Sequence, residues 1–288
     1  MSSVILGCGD IGRRIAVALI AQGHRKESIV GLVKSVESEQ RCFDLGINTG
    51  RFDLDGLHSE FSCCHGAELY YTVAPPKQGV ADTRSHALLS GLDAKQFLPS
   101  KVVVISTTGL YGDCHGAWVD ENSPIQAQTQ RAKRRSDAEQ QWLNWGHKNS
   151  VAVCILRVPG IYAFSRLPRS RIENRTPVVN PQECGYTNRI HADDLAQINL
   201  NAMRYGRAGE VYNATDGTPG KISDYLQQAA KMLGVDALPE ISMQQAQQQL
   251  SQGMLSYLGE SRKISNRKML KELKIVLRYP DYLEGLKN

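Results

Sequence analysis

Short apolar runs alternate with polar, helix-spaced stretches from the N-terminus to Pro159. Val4 to Leu6 is an apolar run closed by glycine, and within Arg13 to Gln22 the residues Ile15, Ala16, Leu19 and Ile20 recur on one helical face. This predicts strand, turn, helix. Ile29 to Val33 reads as the next buried strand and Leu69 to Val73 as another. Lys101 to Ser106 is the clearest, because Val102, Val103, Val104 and Ile105 are β-branched. A helix from about Gln130 to Trp145 leads to a strand at Val151 to Leu156. Uniformly apolar strands belong in a sheet covered on both faces, and long polar or helical connections imply parallel pairing. The expected fold is α/β, a doubly wound parallel sheet.

Beyond Pro159 the pattern changes. The segment to Arg189 is rich in Pro, Arg and Asn and reads as loop, with one short strand near Val178. Helices follow at Asp193 to Met203 and Ser223 to Leu233, a weaker one at Met269 to Leu273, and a strand at Glu210 to Asn213. The glutamines at 244, 245, 247, 248, 249 and 252 read as an exposed helix face. This predicts residues 1–162 as the sheet-bearing domain and 163–288 as a smaller mixed lobe packed on it.

Composition narrows the class. Apolar residues make up 41% and charged residues 22% of the 288, which is globular usage. No stretch approaches the roughly 20 apolar residues of a membrane span, and the first residues lack the pattern of a signal peptide, so a cytoplasmic location without a membrane partner is expected. Seven cysteines without a C-x-x-C pair argue against a disulfide framework. Cys63-Cys64-His65 has no second ligand pair at zinc spacing, and no metal is expected. The net charge of +5 suits an anionic small molecule and gives no reason to expect nucleic acid. Arg131, Lys133, Arg134 and Arg135 read as a solvated helix face.

Gly7-Cys8-Gly9-Asp10-Ile11-Gly12 is G-x-G-x-x-G between the first strand and the first helix. In that setting the first glycine makes the turn, the second lets backbone approach a pyrophosphate, and Gly12 lets helix and sheet pack closely. The helix N-terminus adds free N–H groups and a positive dipole end. The pattern predicts a Rossmann fold with a nicotinamide dinucleotide as its cofactor. An enzyme using NAD usually has Asp or Glu after the second strand, yet Ser28 to Val36 holds no acid in that place beyond the strand. Lys34 and Ser35 stand there and suit a 2′-phosphate, so NADP is expected in preference to NAD.

Ser106-Thr107-Thr108-Gly109-Leu110-Tyr111-Gly112 follows the strongest strand. With Asp53-Leu54, Glu139, Arg157-Val158-Pro159-Gly160-Ile161-Tyr162 and Arg189-Ile190-His191-Ala192-Asp193-Asp194, the chain resembles the extended short-chain dehydrogenase/reductases, the superfamily of nucleotide-sugar epimerases and dehydratases. The resemblance implies cofactor contacts at Gly7, Gly9, Asp10, Ile11, Gly12, Lys34, Ser35, Asp53, Leu54, Ala74 and Pro159. It also puts Thr107 where the family keeps a catalytic Ser or Thr. The family's Tyr-x-x-x-Lys pair is missing: anchoring on Glu139 places Arg131 at the tyrosine and Arg135 at the lysine. The chain thus resembles an atypical member. Arginine, with a pKa above about 12, is no general base but can hold an anion or a developing oxyanion.

Arg166, Arg169, Arg171, Arg175 and Arg189 crowd the segment that closes over substrate in the family, and guanidinium forks suit phosphate or carboxylate. Four of them, Arg166, Arg169, Arg175 and Arg189, are the candidate substrate contacts, against the alternative of a solvent-exposed set. Candidate catalytic residues are Thr107, Arg131, Arg135 and Tyr111, with Tyr162 and His191 as further proton-transfer candidates. Two functions stay open: an oxidoreductase or epimerase acting on a small anionic or nucleotide-sugar substrate, and a dinucleotide-binding sensor or partner-binding protein without turnover.

Overall fold

A computed structural model describes residues 2–56 and 61–287. The chain runs β1 (Ser3–Leu6), α1 (Asp10–Ala21), β2 (Ile29–Val33), α2 (Val36–Phe43), β3 (Asn48–Arg51), β4 (Glu68–Tyr71), α3 (Thr83–Lys95), β5 (Lys101–Thr107), β6 (Trp118–Val119), α4 (Gln130–Asn149) and β7 (Ala152–Val158). It continues through β8 (Gly160–Tyr162), α5 (Arg169–Glu173), β9 (Val178–Val179), β10 (Tyr186–Thr187), β11 (Arg189–His191), α6 (Ala192–Tyr205) and β12 (Val211–Asn213). Last come β13 (Gly220–Lys221), α7 (Ile222–Met232), β14 (Glu240–Ile241), α8 (Met243–Gln249), α9 (Gln252–Leu258), β15 (Lys263–Ile264), α10 (Arg267–Glu272) and α11 (Tyr282–Gly285).

Seven strands form one parallel sheet in the order β12-β7-β5-β4-β1-β2-β3. From β1 the chain builds outward through β2 and β3, then returns to lay β4 on the other side of β1. The crevice beyond the C-terminal ends of β1 and β4 is therefore the topological switch point, where sheets of this kind take ligands. Side chains alternate across the sheet. Ile5, Val103 and Ile105 face Ile15, Leu19, Leu195 and Ile198 of α1 and α6. Val4, Leu6, Val102 and Val104 face Leu88, Leu92 and Trp142 of α3 and α4. A strand in the middle of the sheet, covered on both faces, thus needs apolar residues along its length, which is why the run at β5 reads so clearly.

The expected boundary at 162/163 is not where the sheet ends. β12 pairs with β7 from Val211↔Ile155 to Asn213↔Arg157, and α6 packs beside α1, so residues 192–213 return to the sheet and cover the flank that β7 would otherwise expose. The rest of the second half forms a lobe around Tyr162, Leu167, Ile172, Tyr225, Leu226 and Ala229. Three short two-stranded ladders lie within it, β8 with β11, β9 with β14, and β10 with β13. β6 and β15 make a fourth, joining the lobe to the loop after β5. In α8 the glutamines are exposed around the buried Ala246. Among the described residues no helix is long and apolar enough to cross a membrane, and no three His, Cys, Asp or Glu side chains gather as a metal set.

Candidate functional site

The glycine loop shows why each glycine is there. Gly7 has φ +85°, and a β-carbon on it would lie 3.0 Å from the Val73 backbone nitrogen. At Gly12 a β-carbon would lie 3.0 Å from Ile5 Cγ2 and 3.3 Å from the Gly7 carbonyl oxygen. Gly9 differs: the nearest protein atom to a β-carbon there is the Gly7 carbonyl oxygen at 3.7 Å. Gly9 thus leaves open a space that the protein does not fill. The amides of Gly7 and Cys8 donate to Leu32 O at 2.9 and 3.0 Å, tying the loop to β2. Gly9 offers no side chain to cap α1, so the first-turn amides keep their dipole end available for an anion.

On one side of the loop a cavity of about 120 Å³ is lined by Gly7, Leu32, Lys34, Leu54, Val73 and Arg84 among others. Lys34 Nζ lies 2.9 Å from Asp53 Oδ1 and 3.0 Å from Asp55 Oδ2. Arg84 grips Asp55 with both arms of its fork, Nε to Oδ1 at 2.7 Å and Nη2 to Oδ2 at 2.6 Å, and donates from Nη1 to Ala74 O at 2.9 Å. The contacts from Arg84 and then Lys34 hold the Asp55 carboxyl far below the usual carboxylate range. Ser35 caps α2, its hydroxyl accepting from Ser38 N at 3.3 Å.

A second cavity, of about 310 Å³, opens at the C-terminal ends of β5 and β7. Thr107, Arg131, Arg135 and Pro159 line it from the sheet side; Tyr186, Tyr257, Glu260 and Arg262 line it from the lobe. Thr107 Oγ1 accepts from Gly109 N at 3.1 Å, which fixes its rotamer. Arg135 Nη1 donates to Ile105 O at 3.0 Å and Val73 O at 3.4 Å. Its acceptors are carbonyls, and burial lowers the pKa of its guanidinium. Arg262 Nη1 meets Glu260 Oε2 at 2.7 Å and Gly112 O at 2.5 Å. The cavity therefore holds three guanidinium groups against one carboxylate. Tyr186 stands opposite Lys221 in the β10/β13 ladder, its ring centroid 3.9 Å from Lys221 Nζ and 4.8 Å from Lys263 Nζ. Those two cations hold the ring in place.

Several predicted residues lie elsewhere. Tyr111 is fully buried; its hydroxyl donates to Asn213 Oδ1 at 2.8 Å and accepts from Arg157 Nη1 at 2.9 Å. Arg157 in turn pairs with Glu139 at 2.8 Å, both side chains about 5% exposed. Tyr111 and the Glu139 anchor thus belong to a buried polar knot and not to the cavity. Arg175 pairs with Asp236 at 3.2 Å on the surface, and exposed Arg169 lies 5.0 Å over the Phe164 ring. Arg166 reaches Asp10 at the start of α1, and Arg189 is buried between Tyr225 and Tyr282 at 4.4 and 5.3 Å. Tyr162 donates to Asp281 O at 2.8 Å, and His191 Nδ1 accepts from Asp193 N at 3.2 Å, capping α6. The basic cluster on α4 is not uniformly solvated either: Arg134 is buried and donates to Gly79 O at 2.5 Å.

A glycine loop at the switch point of a parallel sheet, with a second lobe packed against the strand ends, defines a Rossmann-type fold. No protein-family model matches the chain, and no curated protein sequence matches it. Solved structures do. A functionally unknown conserved protein from Silicibacter pomeroyi is 27% identical over 99% of this chain and 96% of that one, with a TM-score of 0.84. A protein of Methylobacillus flagellatus, assigned as an NAD-dependent epimerase/dehydratase, is also 27% identical, over 99% and 95%, with a TM-score of 0.70. A UDP-glucuronic acid 4-epimerase from Bacillus cereus, solved with NAD, is 17% identical over 100% and 94%, with a TM-score of 0.78. The chain has the fold of the extended short-chain dehydrogenase/reductases, the epimerase/dehydratase class.

Proposed function

We propose that this chain binds a nicotinamide dinucleotide across the switch-point crevice. It acts with it as an oxidoreductase or epimerase on a small anionic substrate, a nucleotide sugar or another phosphate- or carboxylate-bearing molecule. The observation that carries the reading is the cavity at the ends of β5 and β7, where, among the described residues, three guanidinium groups face one carboxylate. Such an excess of fixed cations favours an anion.

The open space at Gly9 and the uncapped first turn, with Asp10 and Ile11, fit a pyrophosphate. Lys34, Ser35, Asp53 and Leu54 would hold the adenosine end; Ala74 and Pro159 would flank the path to the nicotinamide end. When bound, the nicotinamide supplies a site that accepts and returns a hydride. Thr107 then hydrogen-bonds the substrate hydroxyl. Arg135 takes the ribose-holding position, and Arg131 meets the substrate's anionic group. Neither can shuttle a proton near neutrality, and α4 contains no tyrosine. Tyr186, brought from β10 into the same cavity, is the group we assign to proton exchange. Lys34 and Ser35 favour NADP over NAD.

The test is a coenzyme titration followed by a substrate survey. NADPH should bind more tightly than NADH, and Lys34→Ala should weaken NADPH alone by about 1.5–3 kcal/mol. With NADP supplied, nucleotide sugars and small sugar phosphates or acids are surveyed by absorbance at the reduced-nicotinamide band. Thr107→Val and Tyr186→Phe should each remove turnover while leaving NADPH binding intact. A parent protein that binds neither coenzyme sinks the proposal.

A further inference from the structure

We infer that Asp55 sets the coenzyme preference: in the free protein its carboxylate engages the Lys34 ammonium that a coenzyme's 2′-phosphate would take. The inference rests on the dinucleotide reading above and assigns a specificity residue that the sequence pattern did not single out.

Among the described residues, the ion-paired charges at the adenosine cavity balance. Lys34 and Arg84 supply two positive charges, and Asp53 and Asp55 supply two negative ones. A ribose carrying hydroxyls enters that balance without disturbing it. A 2′-phosphate adds roughly −1.5 to −2 and competes with Asp55 for the same donors. The two cations are not equivalent in this competition. Arg84 holds Asp55 with a bidentate fork at 2.6 and 2.7 Å and is itself pinned to Ala74 O, so its geometry is fixed at both ends. Lys34 makes single contacts at 2.9 and 3.0 Å and its side chain is 61% exposed. An ammonium on a flexible stem turns from one anion to another with little rearrangement. On arrival of a phosphate, Lys34 turns to it while Arg84 keeps Asp55 neutralised.

Asp55 therefore works against NADP twice over, by drawing on Lys34 and by repelling the phosphate. The backbone amide of Asp55 donates to Asp53 Oδ1 at 3.0 Å, which aims its carboxylate into this pair of cations. Asparagine keeps the shape and removes the charge.

The experiment measures NADPH and NADH dissociation constants by calorimetry for the parent, Asp55→Asn, Asp55→Ser, Lys34→Ala and the Lys34→Ala/Asp55→Asn double variant, each checked for an unchanged melting transition. Asp55→Asn should tighten NADPH at least tenfold relative to NADH, and the double variant should lose that gain, because the freed ammonium is its source. Asp55→Ser serves should the asparagine variant fold poorly. Equal changes for both coenzymes, a weakening of NADH with NADPH unchanged, or a gain that persists without Lys34 would each overturn the inference and leave the dinucleotide reading standing. Absence of binding by either coenzyme to the parent would instead remove that reading.

Discussion

Replacing Gly9 by valine separates the needs of the fold from the needs of a ligand. A β-carbon at Gly9 comes no closer than 3.7 Å to protein, which is ordinary contact, so the free variant should fold with its melting temperature within a few degrees of the parent. The space it enters is the one through which a pyrophosphate must approach the loop amides. Losing two charge-assisted hydrogen bonds there costs about 3–5 kcal/mol, roughly two to four orders of magnitude in dissociation constant. Gly12→Val is the contrasting case. Its β-carbon would stand 3.0 Å from Ile5 Cγ2 and 3.3 Å from both Cys8 Sγ and the Gly7 carbonyl oxygen. Overpacking of that kind costs about 1–3 kcal/mol. Calorimetric titration with NADPH and thermal unfolding of both variants decide the matter. The reasoning fails if Gly9→Val melts as low as Gly12→Val, or if it binds NADPH as the parent does.

Two further outcomes concern the support of the site. Glu139→Gln leaves the buried Arg157 guanidinium without its counter-charge and should destabilise by about 3–5 kcal/mol in urea unfolding; a loss below about 1 kcal/mol would show that the Tyr111 and Asn213 contacts suffice. Asp216 is pushed up to about 7 by burial, with one carboxylate oxygen unpartnered among the described residues and the other accepting from Thr218 N at 2.9 Å. Its unfolded value is near 3.9, so from about pH 4 to pH 7 the folded chain holds more protons than the unfolded one, and stability falls as pH rises through that window by about 4 kcal/mol. Asp216→Asn should flatten this part of the melting-temperature profile, and an unchanged slope from pH 4 to 8 would reject the assignment.

The parts of the fold legible in the sequence are those buried on both faces. β2 and β5 consist of residues that a covered parallel strand requires, and they lie at Ile29–Val33 and Lys101–Thr107. β3, with Asn48, Thr49, Gly50 and Arg51, is a sheet edge and carries no apolar residue at all, so no periodicity marks it. The helix α2 is likewise mostly polar. β12 was readable as a strand, but its membership of the sheet follows from the need of β7 for a neighbour, which is not a local property. The same division runs through the site. The glycine loop is found from local pattern; Thr107, Arg131 and Arg135 come only from the family resemblance, since the local pattern marks Arg131 and Arg135 as a solvated helix face. Tyr186 reaches the cavity on a ladder of two residues and Arg262 from the residue before another, with partners far along the chain, and nothing near them in sequence signals it. Arg169 and Arg175 show the converse: a local surplus of arginine on a loop that folds away from the cavity.

The route of the chain also limits how the molecule can move. It leaves the sheet after β7, comes back for α6 and β12, leaves again toward β13, returns with α10 and leaves once more for α11, so five covalent crossings tether the lobe to the sheet. A body joined by one linker can swing like a door; one stitched down at several points is resisted by the other connections whenever it turns about any one of them. Entry to the cavity proposed for substrate would then depend on side chains and short loops lining it, Tyr257 and Glu260 on the lobe and Arg131 on α4, so that the aperture is set residue by residue and not by the swing of a domain.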